Sequence, residues 1–406
     1  MPLGAAKIAY QGFQAAAAAA SWDDWTSSNV GDLREALNDT ETRRVHFPLS
    51  FANDHFFVVG NQDTNRDNMF VDKIDITSAG VTTWNSRSAT ETGEAELVFT
   101  QTGALNWVGD YDKAAVFVQS GQHYILTYSS GALTWSSEKT LSTTTNLGNF
   151  SVFTHPDDPD DVFRVVGNGY LQRLSWDNST DTFTVVTDKL SSYGYTVRGA
   201  NAWWTYDGST YKLAVSFWDN TNTTWKIRHW AADLSTSTDV SLNSTPAPSS
   251  PDQARHYGGL YSTKLNEYVH VGSDASGNLV AFSVEYDGSG SSFTQGSTLT
   301  LSTPSTYTNL RSVKTTQHVA DNTYVVHAQW NNPSDSTERV SYYYFIENDG
   351  GTLTELGKVA VSDVGEITNG RGGIELLPNG EILVACEDKG TATDATSVVT
   401  SAITKE

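Results

Sequence analysis

A repeat of short apolar strands is the feature that most constrains how this chain folds. From about residue 43 to the end, seven units of about 52 residues recur, and six of them contain four short strands separated by turns. The second strands are nearly continuous apolar runs, such as AVFV, KLAVSF and EILVA, as expected for strands covered on both faces. The third strands alternate apolar and polar residues more strongly. This pattern predicts an all-β fold, a seven-bladed β-propeller with four-stranded antiparallel blades.

The seventh unit supplies only three strands, while residues 1–40 differ in composition from the rest of the chain. We therefore divide the chain into an N-terminal arm or attachment segment, residues 1–40, and a propeller, residues 41–406. A propeller closes best when the missing strand comes from the other end of the chain. We predict that part of the arm is the outer fourth strand of blade seven, with Lys7–Phe13 as the first candidate. The alternative is an outer strand that stays unpaired.

Composition agrees with a β fold and argues against several classes of function. Aromatic residues make up 11% of the chain, and Ser, Thr, Gly, Asn and Asp suit the turns between strands. The net charge of −22 argues against a nucleic-acid partner, because phosphate binding needs clustered Lys and Arg. No apolar stretch of about 18 residues is present, so no membrane insertion is expected. The N-terminus lacks the apolar core of a signal peptide.

Ligands for metals or cofactors are not concentrated anywhere in the sequence. The single cysteine, Cys386, excludes an intrachain disulfide and a cysteine-based zinc site. The histidines are scattered, and the acidic segment 155–161 lacks the full ladder of calcium ligands. No phosphate-cradling loop and no Gly-x-Ser-x-Gly elbow occur. We therefore predict no metal site and no cofactor.

Several predicted hairpins carry an Asp, then small polar residues, then an aromatic residue. Examples are Asp177–Phe183, Asp219–Trp225 and Asp287–Phe293. These segments loosely resemble the Asp box of sialidase-like propellers, although the spacing differs and the defining Gly is mostly missing. An Asp side chain accepts backbone N–H bonds in such turns while the aromatic residue packs beneath it. We interpret the segments as turn chemistry.

Arginines recur near the beginnings of the predicted first strands: Arg44, Arg198, Arg255, Arg311 and Arg371. In a propeller the first strand lines the central channel, so these side chains would approach one of its mouths. A ring of arginines suits carboxylate, sulfate or phosphate groups. We name four of them as candidate ligand-binding residues: Arg198, Arg255, Arg311 and Arg371. The alternative is that they pair with the many acidic residues and hold neighbouring blades together.

Arg255, His256 and Tyr257 form the richest local combination for catalysis. In a polysaccharide lyase an Arg would neutralise a uronate while a His or Tyr moves the proton. A sialidase would need three converging arginines, a Tyr with a Glu partner, and an Asp acid, and the typical Arg-Ile-Pro segment is missing. A glycan-active enzyme, either a lyase or a sialidase-like glycosidase, is therefore the alternative hypothesis, and a non-enzymatic function is the first.

Tryptophans interleaved with Asn, Ser and Thr are the usual means of holding sugars. The candidates are Trp107, Trp203, Trp204, Trp218, Trp225, Trp230 and Trp330. We expect most of them to fill the core between blades. Trp230, on a predicted third strand, is the candidate for stacking against a sugar.

The first 13 residues, MPLGAAKIAYQGF, resemble the start of structural proteins of marine tailed bacteriophages. In that family a short leader of the Leu-Gly-Ala-Ala-[Lys/Arg] type precedes a variable β-rich body. The resemblance implies a virion protein assembled in the host cytoplasm: a fibre, a head decoration or a tail-associated protein. Its arm would bind other virion proteins, and its propeller would bind subunits and a host surface glycan.

Overall fold

The computed structural model describes residues 25–32, 43–52, 55–62, 68–76, 82–91, 105–108, 113–117, 122–129, 132–137, 139–142, 150–166, 170–190, 201–219, 221–243, 258–262, 267–320, 322–361, 373–376, 382–388 and 397–405. The secondary structure of these stretches consists of 29 β-strands. None of the described stretches contains a helix long and apolar enough to cross a membrane. The expectation of an all-β fold is confirmed.

The strands form antiparallel sheets, numbered I to VII, and three of them come from the first half of the chain. Sheet I contains β2 (Arg43–Ala52), β3 (His55–Gln62), β4 (Asn68–Ile76) and β5 (Thr82–Glu91). Sheet II contains β6 (Leu105–Val108), β7 (Lys113–Phe117), β8 (Gln122–Ser129), β9 (Ala132–Trp135) and β10 (Lys139–Thr140), and both short strands β9 and β10 pair with β8. Sheet III contains β11 (Phe150–His155), β12 (Asp158–Val166), β13 (Leu171–Asp177) and β14 (Thr182–Asp188).

Three further sheets also consist of four strands that are consecutive in the sequence. Sheet IV contains β15 (Asn201–Tyr206), β16 (Tyr211–Asp219), β17 (Thr224–Ala231) and β18 (Ser237–Ser241). Sheet V contains β19 (Gly258–Ser262), β20 (Glu267–Ser273), β21 (Leu279–Tyr286) and β22 (Phe293–Thr300). Sheet VI contains β23 (Asn309–Ala320), β24 (Thr323–Asn332), β25 (Asp335–Asp349) and β26 (Thr352–Val361).

Sheet VII joins the two ends of the chain. It contains β27 (Gly373–Leu376), β28 (Ile382–Asp388), β29 (Ser397–Lys405) and β1 (Trp25–Asp32). The N-terminal strand β1 pairs antiparallel with β29, from Trp25 opposite Lys405 to Asp32 opposite Val399. The outer strand of sheet VII therefore comes from residues 25–32, whereas the first candidate for that strand, Lys7–Phe13, lies outside the described residues.

Each sheet contacts the next one along the chain. The first strands of sheets II to VII lie against one another in sequence order, and β27 of sheet VII lies against β2 of sheet I. Sheets I and II meet through β5 and β9. Strands ordered from an inner first strand to an outer fourth strand, in sheets that pack side by side, are typical of propeller blades.

The core lies between neighbouring sheets. The second strands are covered on both faces: every residue of β20 is buried, as are residues 213–218 of β16. One apolar cluster spans sheets III and IV and another spans sheets V and VI. The fourth strands are the more open ones: β18 is exposed at four of its five positions and β22 at four of its eight, and neither strand has a buried residue. The apolar runs in the sequence therefore mark the strands that two neighbouring sheets enclose, as predicted.

Candidate functional site

Most of the site residues predicted from the sequence lie where the structure gives no side-chain information. Five of them lie outside the described part of the chain: Arg198, Arg255, His256, Tyr257 and Arg371. Arg311 belongs to β23 and Arg44 to β2, but their side chains are not among those described. The ring of arginines and the alternative catalytic combination therefore stay predictions.

Trp230 lies in the core between sheets III and IV. Its side chain is 6% exposed and packs in one cluster with Phe163 and Leu213. The reason is positional, because β17 is the third of four strands and its apolar face meets the neighbouring sheet instead of solvent. This burial argues against the predicted stacking of Trp230 on a sugar. The expectation that most tryptophans fill the core agrees with the burial of these members of the set: Trp203, Trp218, Trp225 and Trp330.

Two arginines with described side chains pair with aspartates on neighbouring strands. Arg173 Nε lies 2.8 Å from Asp161 Oδ1, and Arg228 donates to both carboxylate oxygens of Asp239 at 2.6 and 2.7 Å. These arginines are not among the predicted ligand-binding set. These two arginines link neighbouring strands of one sheet.

The Asp-containing hairpins have the turn chemistry expected of them. Asp177, Asp219 and Asp287 each accept, through Oδ1, the backbone N–H two residues later, at 2.9, 2.9 and 2.7 Å. The aromatic residues that end two of these segments, Phe183 and Trp225, are buried. The interpretation of these segments as structural turns is confirmed.

The hairpins that connect the first two strands of sheets III and IV bring four rings together. These rings, called the aromatic cluster below, belong to His155, Trp204, Tyr206 and Tyr211. The His155 ring meets Trp204 at 4.9 Å and Tyr211 at 5.4 Å between centroids, both edge-to-face. Tyr206 and Tyr211 lie 4.7 Å apart and are tilted by 39°. Edge-to-face and tilted contacts at these distances are favourable between aromatic rings.

The local sequence explains why the two tyrosines meet. Tyr206 is the last residue of β15 and Tyr211 is the first residue of β16, and the two pair across the turn 207–210. Asp207 Oδ1 accepts the backbone N–H of Ser209 at 3.0 Å and of Thr210 at 2.9 Å. These bonds hold the pKa of the Asp207 carboxyl well below its usual range. Gly208 has a φ of 91°, a conformation that favours glycine.

Sheet III contributes the back of the aromatic cluster. His155 ends β11, and the indole Nε1 of Trp204 donates to the carbonyl of Thr154 at 2.8 Å. Asp157 and Asp158 follow in the β11–β12 hairpin, and both are exposed. The rings therefore lie beside carboxylates that face solvent.

The aromatic cluster itself carries no positive charge at neutral pH. Burial lowers the pKa of His155, so its imidazole is neutral. Burial also raises the pKa of Tyr211, with a further contribution from the charge of Asp157, so its phenol keeps its proton. The nearby cations have acidic neighbours: Arg173 binds Asp161, and the Lys212 ammonium lies 3.6 Å from the Asp207 carboxylate.

Tyr206 makes the aromatic cluster accessible. Its side chain is 47% exposed, and among the described side chains only it and Val186, at 52%, are large, apolar and exposed. Trp204, Tyr211 and His155 are half-buried. The arrangement can hold a ligand against a ring face while the hydroxyl groups of the ligand donate hydrogen bonds to the neighbouring carboxylates. Among the described residues no group of three or more His, Cys, Asp or Glu side chains could hold a metal ion.

Sequence reasoning identified Trp204 as a candidate but missed the tyrosines and His155 as its partners. The signal that was present is the segment Tyr-Asp-Gly-Ser-Thr-Tyr, in which two aromatic residues flank a turn. Residues at such positions face each other at the end of a hairpin. The contribution of His155 comes from a neighbouring sheet, so it depends on tertiary structure.

A second unusual group lies between sheets V and VI. Glu267 begins β20, is 6% exposed and stands opposite Glu285 in the register of β20 and β21. Its Oε2 accepts hydrogen bonds from the hydroxyl of Tyr324, at 3.4 Å, and from the amide of Asn348, both in sheet VI. Burial raises the pKa of Glu267 to about 7, and the charge of Glu285 adds to that effect. A carboxyl group therefore titrates near neutral pH inside a junction between sheets.

Comparison with known proteins identifies the fold and no family. No protein-family model and no curated protein matches the sequence. A candidate 6-phosphogluconolactonase from Bacteroides uniformis has a similar structure, with a TM-score of 0.52 and 12% identity over 89% of this chain and 95% of that one. The β-propeller domain of Cps50 (Swd1) from Myceliophteria thermophila gives 0.51 and 9% over 92% and 99%. At such identities the likeness shows the fold alone, that of a β-propeller domain.

Proposed function

We propose that this chain is a non-enzymatic, seven-bladed β-propeller that a tailed-phage virion carries as a fibre, head-decoration or tail-associated protein. The observation that carries the proposal is the pairing of β1 with β29. This pairing makes residues 25–32 the outer strand of sheet VII, so the leader is joined to the propeller at the outer edge of that sheet. A leader in that position is suited to binding other virion proteins without covering the propeller.

Two observations support a ring of seven blades. Sheets I to VII follow one another in contact, and sheet VII contacts both sheet VI and sheet I. Joining the two chain ends in one sheet also pairs an edge of β29 that would otherwise be open to solvent. A ring closed in this way resists opening at its ends, which suits a protein displayed on a particle.

The leader supports the virion role, and the aromatic cluster supports binding over catalysis. The resemblance to phage structural proteins rests on residues 1–13, directly in the segment that precedes β1. The aromatic cluster offers an exposed ring beside carboxylates, an arrangement suited to adhesion. A host surface glycan is the proposed ligand. The alternative, a glycan-active enzyme, would use Arg255, His256 and Tyr257, which lie outside the described part of the chain.

Two truncations test the attachment role. Deletion of residues 1–24 keeps β1, so we expect a folded protein with an unchanged melting temperature that is missing from purified particles of the phage that encodes it. Deletion of residues 1–32 also removes β1 and should lower the melting temperature. Immunoblots of purified particles measure incorporation. Normal incorporation of the 1–24 deletion, or absence of the wild-type chain from particles, would show that the proposal is wrong.

A reducing-end assay tests the enzyme alternative. Wild-type protein is incubated with uronate-containing and sialylated polysaccharides, beside His256→Ala and Arg255→Ala. We expect no release of reducing ends by any of the three proteins. Release by the wild type that either substitution abolishes would replace the binding function with catalysis.

A further inference from the structure

The aromatic cluster indicates which class of glycan the protein takes. We propose that it is a subsite for an uncharged sugar ring, which stacks on Tyr206 and donates hydroxyl hydrogen bonds to Asp157 or Asp158. The inference rests on the proposed function in so far as the propeller displays a glycan-binding surface. It assigns that surface to the junction of sheets III and IV.

The two tyrosines provide a platform of the right kind. Tyr206 is 47% exposed, and Tyr211 lies against it at 4.7 Å with a tilt of 39°. The two rings therefore form a shallow corner instead of a closed slot. The C–H groups of a pyranose carry a small positive charge that matches the negative face of an aromatic ring. A platform of this shape accepts one sugar ring from solvent.

The platform is held in place before a ligand arrives. The turn bonds of Asp207 fix the hairpin that carries both tyrosines. The ring of His155, in the adjoining sheet, makes edge-to-face contacts with Tyr211 and Trp204. The indole of Trp204 donates a hydrogen bond to the carbonyl of Thr154. Because these side chains are already ordered, binding loses less conformational entropy than it would on mobile rings.

The charges around the aromatic cluster select against acidic sugars. Asp157 and Asp158 are exposed beside the rings, and His155 is neutral. The Lys212 ammonium is shared between Asp207 and the carbonyl of Gly290. A uronate, sialic acid or sulfated sugar would place a like charge next to these aspartates, whereas neutral hydroxyls can donate to them.

A cationic ligand is the competing possibility, and the ring geometry disfavours it. Capture of a cation by aromatic residues needs ring faces directed at one charge. In the aromatic cluster the contacts of His155 with Trp204 and Tyr211 are edge-to-face, so these rings pack on one another. Tyr206 offers one ring face to solvent and not several faces around one charge. The ammonium group of Lys212, in the same hairpin, would also repel a cationic ligand.

A glycan array tests this assignment, with neutral, N-acetylated, uronate-containing, sulfated and free-amine glycans as probes. The wild-type chain should bind neutral or N-acetylated glycans. Tyr206→Ala should weaken that binding at least tenfold, and Tyr206→Phe should preserve it because the ring face is kept. Val186→Ala, which truncates the other large exposed apolar side chain, is the matched control and should bind as the wild type does.

Three results would overturn the assignment: no binding to any glycan, binding confined to acidic or free-amine glycans, or unchanged binding by Tyr206→Ala. The attachment role is scored separately. Tyr206→Ala should still be incorporated into particles, and the variant without residues 1–24 should still bind the glycan. Loss of one property with retention of the other tells which of the two proposals has failed.

Discussion

The junction between sheets III and IV ends at the surface in a set of rings, whereas the junction between sheets V and VI encloses a carboxyl group. In the first, Tyr206 is exposed and the charges of Asp157 and Asp158 stay in solvent. In the second, Glu267 is 6% exposed and contacts Tyr324 and Asn348, which are fully or almost fully buried. Both junctions also contain a cluster of buried apolar side chains.

The difference shows that one kind of packing interface supports two separate properties. An aromatic edge whose neighbouring charges stay in solvent can meet a ligand. A carboxyl group inside the interface contributes nothing to ligand binding, but it makes stability depend on protonation. We therefore expect variants at junction III–IV to change binding, and variants at junction V–VI to change folding.

The largest effect should follow from emptying the interior of junction V–VI. Trp330 is 0% exposed within the apolar cluster of sheets V and VI, so Trp330→Ala should lower the free energy of unfolding by about 3–5 kcal/mol. The matched variant Trp204→Ala removes a half-buried ring at junction III–IV and should cost less, about 2 kcal/mol. Urea unfolding measures both. Equal losses would contradict the distinction between a filled interior and an open edge.

The next effect concerns pH. The pKa of Glu267 is raised from 4.5 to about 7, so the folded state holds a proton there that the unfolded state has released. Stability contributed by the protonated group is complete below about pH 4.5 and is lost as the pH rises through about 7. Glu267→Gln should remove this loss and make the chain more stable than the wild type at pH 8.

The control for that variant is Glu347→Gln, which neutralises an exposed acid of β25 in the same pair of sheets. It should leave the pH dependence of the urea midpoint as in the wild type. A wild-type midpoint that does not fall between pH 5 and pH 8, or one that falls equally in Glu267→Gln, would show that this carboxyl group does not control the junction.

Most of the strand order could be read from the sequence because burial on two faces leaves a strong pattern. Strands such as β16 and β20 lie between two sheets, and their sequences are almost continuously apolar. The outer strand β1 is different, since its sequence WTSSNVGD contains two large apolar residues in eight. It joins sheet VII through backbone pairing with β29. An edge strand needs little apolar surface, so composition gives a weak signal for its position.

The candidate site was only partly accessible to sequence reasoning. The turn chemistry of Asp177 and Asp219 follows from local hydrogen bonding and was predicted correctly. Trp230 was expected to be accessible to a sugar because it lies on a third strand, but the neighbouring sheet covers its side chain. The meeting of His155 with Tyr211 depends on which hairpin ends adjoin across two sheets. No spacing in the sequence encodes that neighbourhood.

The smallest of the expected effects separates the two junctions most sharply. Gly208, in the turn below Tyr206, has a φ of 91°, and a Cβ added there would meet no atom within 4 Å. Gly208→Ala therefore introduces no clash and costs only the strain of a left-handed alanine, about 1–2 kcal/mol. Relief of that strain would move the turn that fixes Tyr206 and Tyr211. We expect weaker sugar binding in addition to the loss of stability.

Gly277 provides a control of the same kind in sheet V. It has a φ of 82°, also has no atom within 4 Å of an added Cβ, and lies in the turn between β20 and β21. Gly277→Ala should therefore lower the melting temperature about as much as Gly208→Ala while leaving affinity for the neutral glycan unchanged. If both variants lose affinity equally, binding depends on overall stability. If neither loses any, the turn at Gly208 does not position the ring on which the sugar stacks.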